Sequence, residues 1–207
     1  MNTKQRILQE ALHLFSMQGF DAVSVAQIAE AVGIKAPSLY KHYASKQDIF
    51  TGIIIEMADR YKKQMQGMMM DGTDAQSDAV RYVGISVDQL VMMGKQLFQF
   101  YQHDEISSQF RKMLAIEQYH NRALADLYYQ QYFEAPLHYQ SQIFQSFINQ
   151  GTMKAVNAEV AAYHFYAPMF LLMTFSDTHA NQDKEILIKI EAHIRQFHQL
   201  YMKEGGN

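Results

Sequence analysis

The chain has 207 residues, of which 48% are hydrophobic and 19% charged, with a formal net charge of -3. That apolar content excludes intrinsic disorder, and the length suits one large domain or a small domain joined to a larger one. With no cysteine, disulfides, thiolate metal sites and cysteine nucleophiles are excluded, and only 3 Pro and 10 Gly argue against a turn-rich β fold.

Apolar residues recur at helical spacing nearly throughout, which predicts an all-α chain. Ile7, Ala11, Leu14 and Phe15 share one face of a first helix, and Gly19 before Phe20 reads as its left-handed cap. Ser24 with Gln27 has the form of a capping box. It opens a second helix, in which Ile28, Ala29 and Val32 face inward and which Gly33 ends. A third helix is predicted from Ala36 to Tyr43, with Pro37 in the first turn, where no intrahelical N–H bond is needed. Ser45 and Asp48 cap a fourth helix carrying Phe50, Ile53, Ile54, Met57 and Tyr61, which fades through Gly67–Gly72.

One long fifth helix is predicted from Val80 through Val83, Val87, Leu90, Val91, Gly94, Leu97 and Phe98 to Tyr101, with shorter helical stretches near 105–118. Asn121 is placed as the cap of a long helix reaching Asn149, kinked at Pro136 and stopped by Gly151. Asn157 caps the next helix, kinked at Pro168 and ending near Ser176, and Asp183–Lys203 forms the last. The expected domains are a head over residues 1–47, a connecting helix over 46–66 and a helical body over 67–207. Met1–Arg6 is polar and no apolar run follows it, so no leader is expected. Val160–Ser176 lacks Asp, Glu, Lys and Arg, but it is short for a membrane span and reads as a buried helix. A cytoplasmic protein with no membrane partner is expected.

The net charge hides an asymmetry. Residues 1–47 carry five cations (Lys4, Arg6, Lys35, Lys41, Lys46) against three anions (Glu10, Asp21, Glu30), which is +2 and leaves -5 for the remainder. A basic head on an acidic body points to an anionic partner for the head. Within it, residues 24–46 read as a helix, a tight turn at Gly33-Ile34-Lys35 and a short helix, which is helix-turn-helix spacing. Ala29 is small where the two helices approach, and Gly33 tolerates the positive φ of the turn. The second helix would sit in a major groove with its first residues at base edges.

On these residues the chain resembles the TetR family of bacterial transcription regulators. The resemblance rests on Phe15-x-x-x-Gly19-Phe20, Ser24-Val25, Ile28-Ala29, Gly33-Ile34 and Ser38-Leu39-Tyr40-x-His42-Tyr43-x-Ser45-Lys46, and spans roughly residues 4–50. It implies a DNA-binding head and a larger helical domain for effector binding and dimerisation. It also implies residue roles. Ser24 would bind phosphate at a helix start, Tyr40 and His42 would contact phosphate or the groove wall, and Lys46 would contact the backbone. Lys35, Ala36, Pro37, Ser38 and Lys41 would face bases or flanking phosphates, with Ser38 on a base edge and Ala36 or Pro37 on a thymine methyl. Leu39 is expected in the core. Lys35 stands where the family often has Ser or Thr as a helix cap. Lysine accepts no hydrogen bond from the helix N–H groups and opposes the dipole, so it is expected to cost about 1 kcal/mol and to strengthen phosphate binding.

Beyond the head, Tyr, Phe and Met are abundant at helical spacing. The same palette fits an ordinary core or a pocket for a small apolar or aromatic effector. Candidate pocket residues are Phe98, Tyr101, Met113, Glu117, His120, Tyr128, Tyr132, Tyr163 and Tyr166. Pro136 and Pro168 would free the carbonyls of Tyr132 and His164, which then need water or a ligand, unless the prolines mark plain kinks. A homodimer is expected, with its faces on Gln140–Asn149 and Val160–Ser176. The expected function is a repressor on a palindromic operator of double-stranded DNA, released by the effector, and an activator with the same head fits equally. The reading from another class is a helical-bundle, metal-dependent enzyme or small-molecule carrier using Glu117 and His120. Glu117-x-x-His120 puts two ligands on one helix face, but a di-iron centre needs a second such pair, and Glu10-x-x-His13 lies in the head. No H-x-x-x-H spacing, phosphate-binding glycine loop or nucleophile elbow occurs. No enzymatic activity, metal or cofactor is therefore expected.

Overall fold

The computed structural model describes residues 2–203 apart from Val83 and Ala180. The described residues form α-helices joined by short turns, and their one β-type pairing is an isolated bridge between Met153 and Met202. The helices are α1 (Thr3–Gln18), α2 (Val25–Val32), α3 (Ala36–Leu39), α4 (Lys46–Gly67), α5 (Ala75–Tyr82), α6 (Val87–His103), α7 (Glu105–Glu117), α8 (Arg122–Tyr129), α9 (Ala135–Asn149), α10 (Ala158–Ser176) and α11 (Asp183–Tyr201). They fall into two compact units, Met1–Tyr61 with Asp104–Tyr129, and Lys62–His103 with Gln130–Asn207. The sequence expectation kept everything after residue 66 together. The grouping differs because α7 packs along α1 and brings α8 with it, a pairing between segments too distant in sequence for local periodicity to reveal.

In the first unit α1 opens with a capping box between Asn2 and Gln5 and buries Ile7, Ala11, Leu12 and Phe15. The ring of Phe15 lies 5.0 Å from Phe20, and Phe20 lies 5.1 Å from Phe50 of α4. Each such fully buried side chain contributes roughly 1.5–3 kcal/mol, so this cluster outweighs any single cap. The Ser24–Gln27 capping box starts α2 as expected. Gly33 ends it with φ 76° and ψ 32°, while the Gly33 and Ile34 amides donate to Glu30 and Ala29. That pair of bonds is the Schellman arrangement, which needs a left-handed residue at this point. Gly19 differs from expectation: its φ of 88° is positive, but ψ of 152° places it outside the left-handed helical region. The third helix is also shorter than expected, because α3 ends at Leu39 and residues 40–42 form a turn. So short a helix does not hold itself. Leu39, 0% exposed, anchors it to the core.

In the second unit the predicted long fifth helix is two helices. Gly84 turns the chain at φ 84°, and a reciprocal bond pair between Ser86 and Gln89 starts α6. That Ser-x-x-Gln signature is in the sequence and marks a new helix start; Val83 lies outside the described residues. The predicted helix from Asn121 to Asn149 begins as expected, with the Asn121 side chain accepting from Ala123 and Leu124. It is interrupted by a π-helical turn over Gln130–Glu134 just before Pro136, the wider turn placing the proline at the start of α9. The core of this unit has two parts. Ile143, Phe144, Met153, Ala161, Ala162 and Phe197 form one, and Val91, Phe98, Ile186, Ile190 and Ile194 form the other. Buried Asp78 accepts from the amides of Asp71 and Gly72 and from the hydroxyl of Tyr139, which satisfies a charge that would otherwise be costly inside.

Candidate nucleic-acid interface

The turn between α2 and α3 sets the candidate site. Lys35 is the residue before α3, extended at φ -76° and ψ 144°, and its side chain makes no capping bond. Pro37 sits in the first turn, and the amides of Ser38 and Leu39 reach back to the Lys35 carbonyl. Lys35, Pro37, Tyr40, Lys41 and His42 are exposed, Ala36 and Ser38 are half-buried, and Leu39 faces the core. Tyr40 is 53% exposed, so its ring does not cover the core of the head. Tyr43 does, and burial together with the nearby Glu56 carboxylate holds its hydroxyl above the usual tyrosine pKa.

The five head cations are used unequally. Arg6 donates to the Val32 carbonyl at 2.7 Å, at the negative end of α2. Lys46 donates to the carbonyls of Phe20 at 2.8 Å and Asp21 at 3.2 Å, and its ammonium lies 4.5 Å from the Phe20 ring centre. Lys4 stands 5.4 Å from the Tyr43 ring centre. Lys35 and Lys41 are left as the exposed cations beside α3. Ser24, expected at a phosphate, has its hydroxyl in the capping box: it donates to Gln27 Oε1 at 2.8 Å and accepts from the Gln27 amide at 3.3 Å.

The candidate pocket residues divide between the units. In the second, the Tyr101 and Tyr132 rings meet edge-on at 6.3 Å, and the Tyr166 hydroxyl donates to the Tyr132 carbonyl at 2.8 Å. Phe98 packs with Val91 and the buried isoleucines of α11, and Tyr163 is 57% exposed. In the first, Met113 and Tyr128 are buried. Glu117 is buried and His120 exposed. Glu117 Oε1 accepts from the Phe20 amide at 3.1 Å, across 97 residues. Nothing local in the sequence reveals that bond. Among the described residues no group of three His, Cys, Asp or Glu side chains is placed to hold a metal ion, and no helix is long and apolar enough to cross a membrane. A cleft of about 300 Å³ opens between α1, α4 and α7, and Arg60 on its wall is paired with Glu56 at 3.0 Å and Asp104 at 2.9 Å.

Residues 7–53 match the model for bacterial regulatory proteins of the tetR family. Over those residues the head resembles the TetR family. Over 105 residues the chain is 26% identical to the HTH-type transcriptional regulator YdgC of Bacillus subtilis, covering 51% of this chain and 50% of that one. Over 51 residues it is 43% identical to the HTH-type transcriptional regulator AcrR of Shigella flexneri, covering 25% and 24%. The chain thus spans half or less of the length of the curated relatives it matches. Over the whole chain the likeness is one of fold. A SmeT–triclosan complex superposes with a TM-score of 0.70 at 16% identity, over 100% of this chain and 95% of that one.

Proposed function

We propose that the chain is a homodimeric transcription repressor that binds a palindromic operator and releases it when a small apolar or aromatic molecule enters the helical body. The observation that carries this reading is the TetR-like head, in which α3 and its flanking turns present Lys35, Pro37, Tyr40, Lys41 and His42 to solvent. Ala36 and Ser38 lie between them, within reach of base edges in a groove. A helix this short touches few bases, so useful specificity needs two half-sites and hence two copies.

Of the two expected dimer faces, Gln140–Asn149 and Val160–Ser176, we assign the contact to the second, on α10. That helix is apolar almost all round, yet Val160 is 49%, Tyr163 57% and Leu171 67% exposed, at spacings that put them on one side. A helix apolar on every side is normally covered on every side, and a second copy of α10 supplies the missing cover. SmeT is described with triclosan bound, which motivates an apolar aromatic effector here, with Tyr101, Tyr132 and Tyr166 as the nearest grouped candidates.

The reading is tested by titrating salt against binding to DNA from upstream of the chain's own gene. Lys35 and Lys41 give two exposed cations per protomer, so a dimer is expected to lose affinity with a log–log slope of about -3.6. A panel of apolar and aromatic compounds is then expected to contain one that dissociates the complex. A slope near zero, or no compound that releases the DNA, would count against the proposal.

A further inference from the structure

We propose that Glu117 is a positioning residue for DNA binding, holding the corner between α1 and α2 from α7. The inference rests on the DNA-binding reading above. Glu117 is 6% exposed and is the last residue of α7. A carboxylate there is doubly unfavourable, because burial removes its water and the helix C-terminus carries partial negative charge. Its Oε1 is offset by the Phe20 amide at 3.1 Å. Gly19 makes room for it: a Cβ at that position would lie 2.6 Å from Oε1.

Phe20 is gripped on all its groups. Its N–H donates to the anion on α7, its carbonyl accepts from Lys46 at the start of α4, and its ring is held between Phe15 and Phe50. Four residues later Ser24 begins α2, and α2 sets the turn that presents α3. A charge-assisted bond to a turn amide is among the stronger single contacts available to place such a corner. Glu117 and Lys46 thus hold the N–H and the carbonyl of one residue, Phe20, and bring α7, α4 and the start of the reading unit into register.

The test compares Glu117→Ala, Glu117→Gln and Glu117→Asp in the full chain. Amide hydrogen exchange, read without DNA, is expected to speed up at Phe20 in the Ala and Asp variants and to stay near wild type in Gln, which keeps an acceptor at the same reach. Affinity for DNA selected from a random pool is expected to fall about tenfold in Ala and Asp and to recover in Gln. Should Glu117→Ala fail to fold, Glu117→Asp carries the test, since it keeps the charge and removes the reach. Unchanged exchange at Phe20 overturns the contact. Faster exchange with unchanged DNA affinity overturns the positioning role. A wild-type protein that selects no DNA sinks the DNA-binding reading itself, and the exchange pattern still reports separately whether Glu117 holds the corner.

Discussion

The Tyr166 hydroxyl donates at 2.8 Å to the Tyr132 carbonyl, the acceptor for which Pro136 supplies no amide. Tyr132 is buried, so the bond is made in a largely apolar setting. Tyr166→Phe removes it and is expected to destabilise the protein by about 0.5–1.5 kcal/mol in urea denaturation. Tyr163→Phe, on an exposed ring of the same helix, is expected to change stability by less than about 0.5 kcal/mol.

Lys35 occupies a cap position without capping. Lys35→Ser is expected to raise stability by about 1 kcal/mol. It is also expected to make the salt slope of operator binding shallower by about one unit per protomer. Greater stability with an unaltered slope would assign Lys35 to solvent rather than to phosphate.

Gly19 and Gly33 both have positive φ, but for different neighbours. Gly33 has open space where a Cβ would be, so Gly33→Ala is expected to cost about 1–2 kcal/mol from backbone conformation alone. Gly19, with ψ near the extended range, lies in a region that is essentially glycine-only, and its Cβ would meet Glu117. Gly19→Ala is expected to cost more than Gly33→Ala in thermal melts. It alone is expected to hasten amide exchange at Phe20.

On α10, Leu171→Asp is expected to leave helix content intact and to shift the protein to monomer in sedimentation equilibrium. Retention of the dimer would move the interface off the Val160, Tyr163 and Leu171 side of that helix.

Hydrogen bonds from Lys95 and Arg195 hold the Glu191 carboxyl below its ordinary value of 4.5. A folded-state pKa lower than the unfolded one contributes stability that is fully present above the unfolded value and is lost as pH falls through the folded value. Glu191→Gln is therefore expected to flatten the decline of melting temperature below about pH 4.5 and to leave the shape of the profile near pH 7 unchanged. An acid limb identical to wild type would show that the pair contributes nothing.

The head was legible because its determinants are local. Ser24 and Gln27, Gly33 and Ile34, and Pro37 before Leu39 each act within a few residues, and their spacing points to one fold. The body was legible as helices but not in its breaks. Ser86 and Gln89 signal a helix start that the continuous apolar pattern from Val80 masked. The π-helical turn before Pro136 follows from the proline but cannot be told in advance from a simple kink. Charge was legible in sum and not in use, since Arg6 and Lys46 serve backbone carbonyls. Glu117 shows the same limit. Its spacing to His120 suggests a ligand pair, whereas its partner lies 97 residues away.

Selection of bound sequences from a random DNA pool tests the central claim most directly. The account predicts enrichment of a palindrome whose half-sites are centred about one helical turn apart, or a multiple of it. Enrichment should be lost when Lys35 and Lys41 are both replaced by alanine. A pool that enriches no palindrome with the wild-type protein would contradict the account.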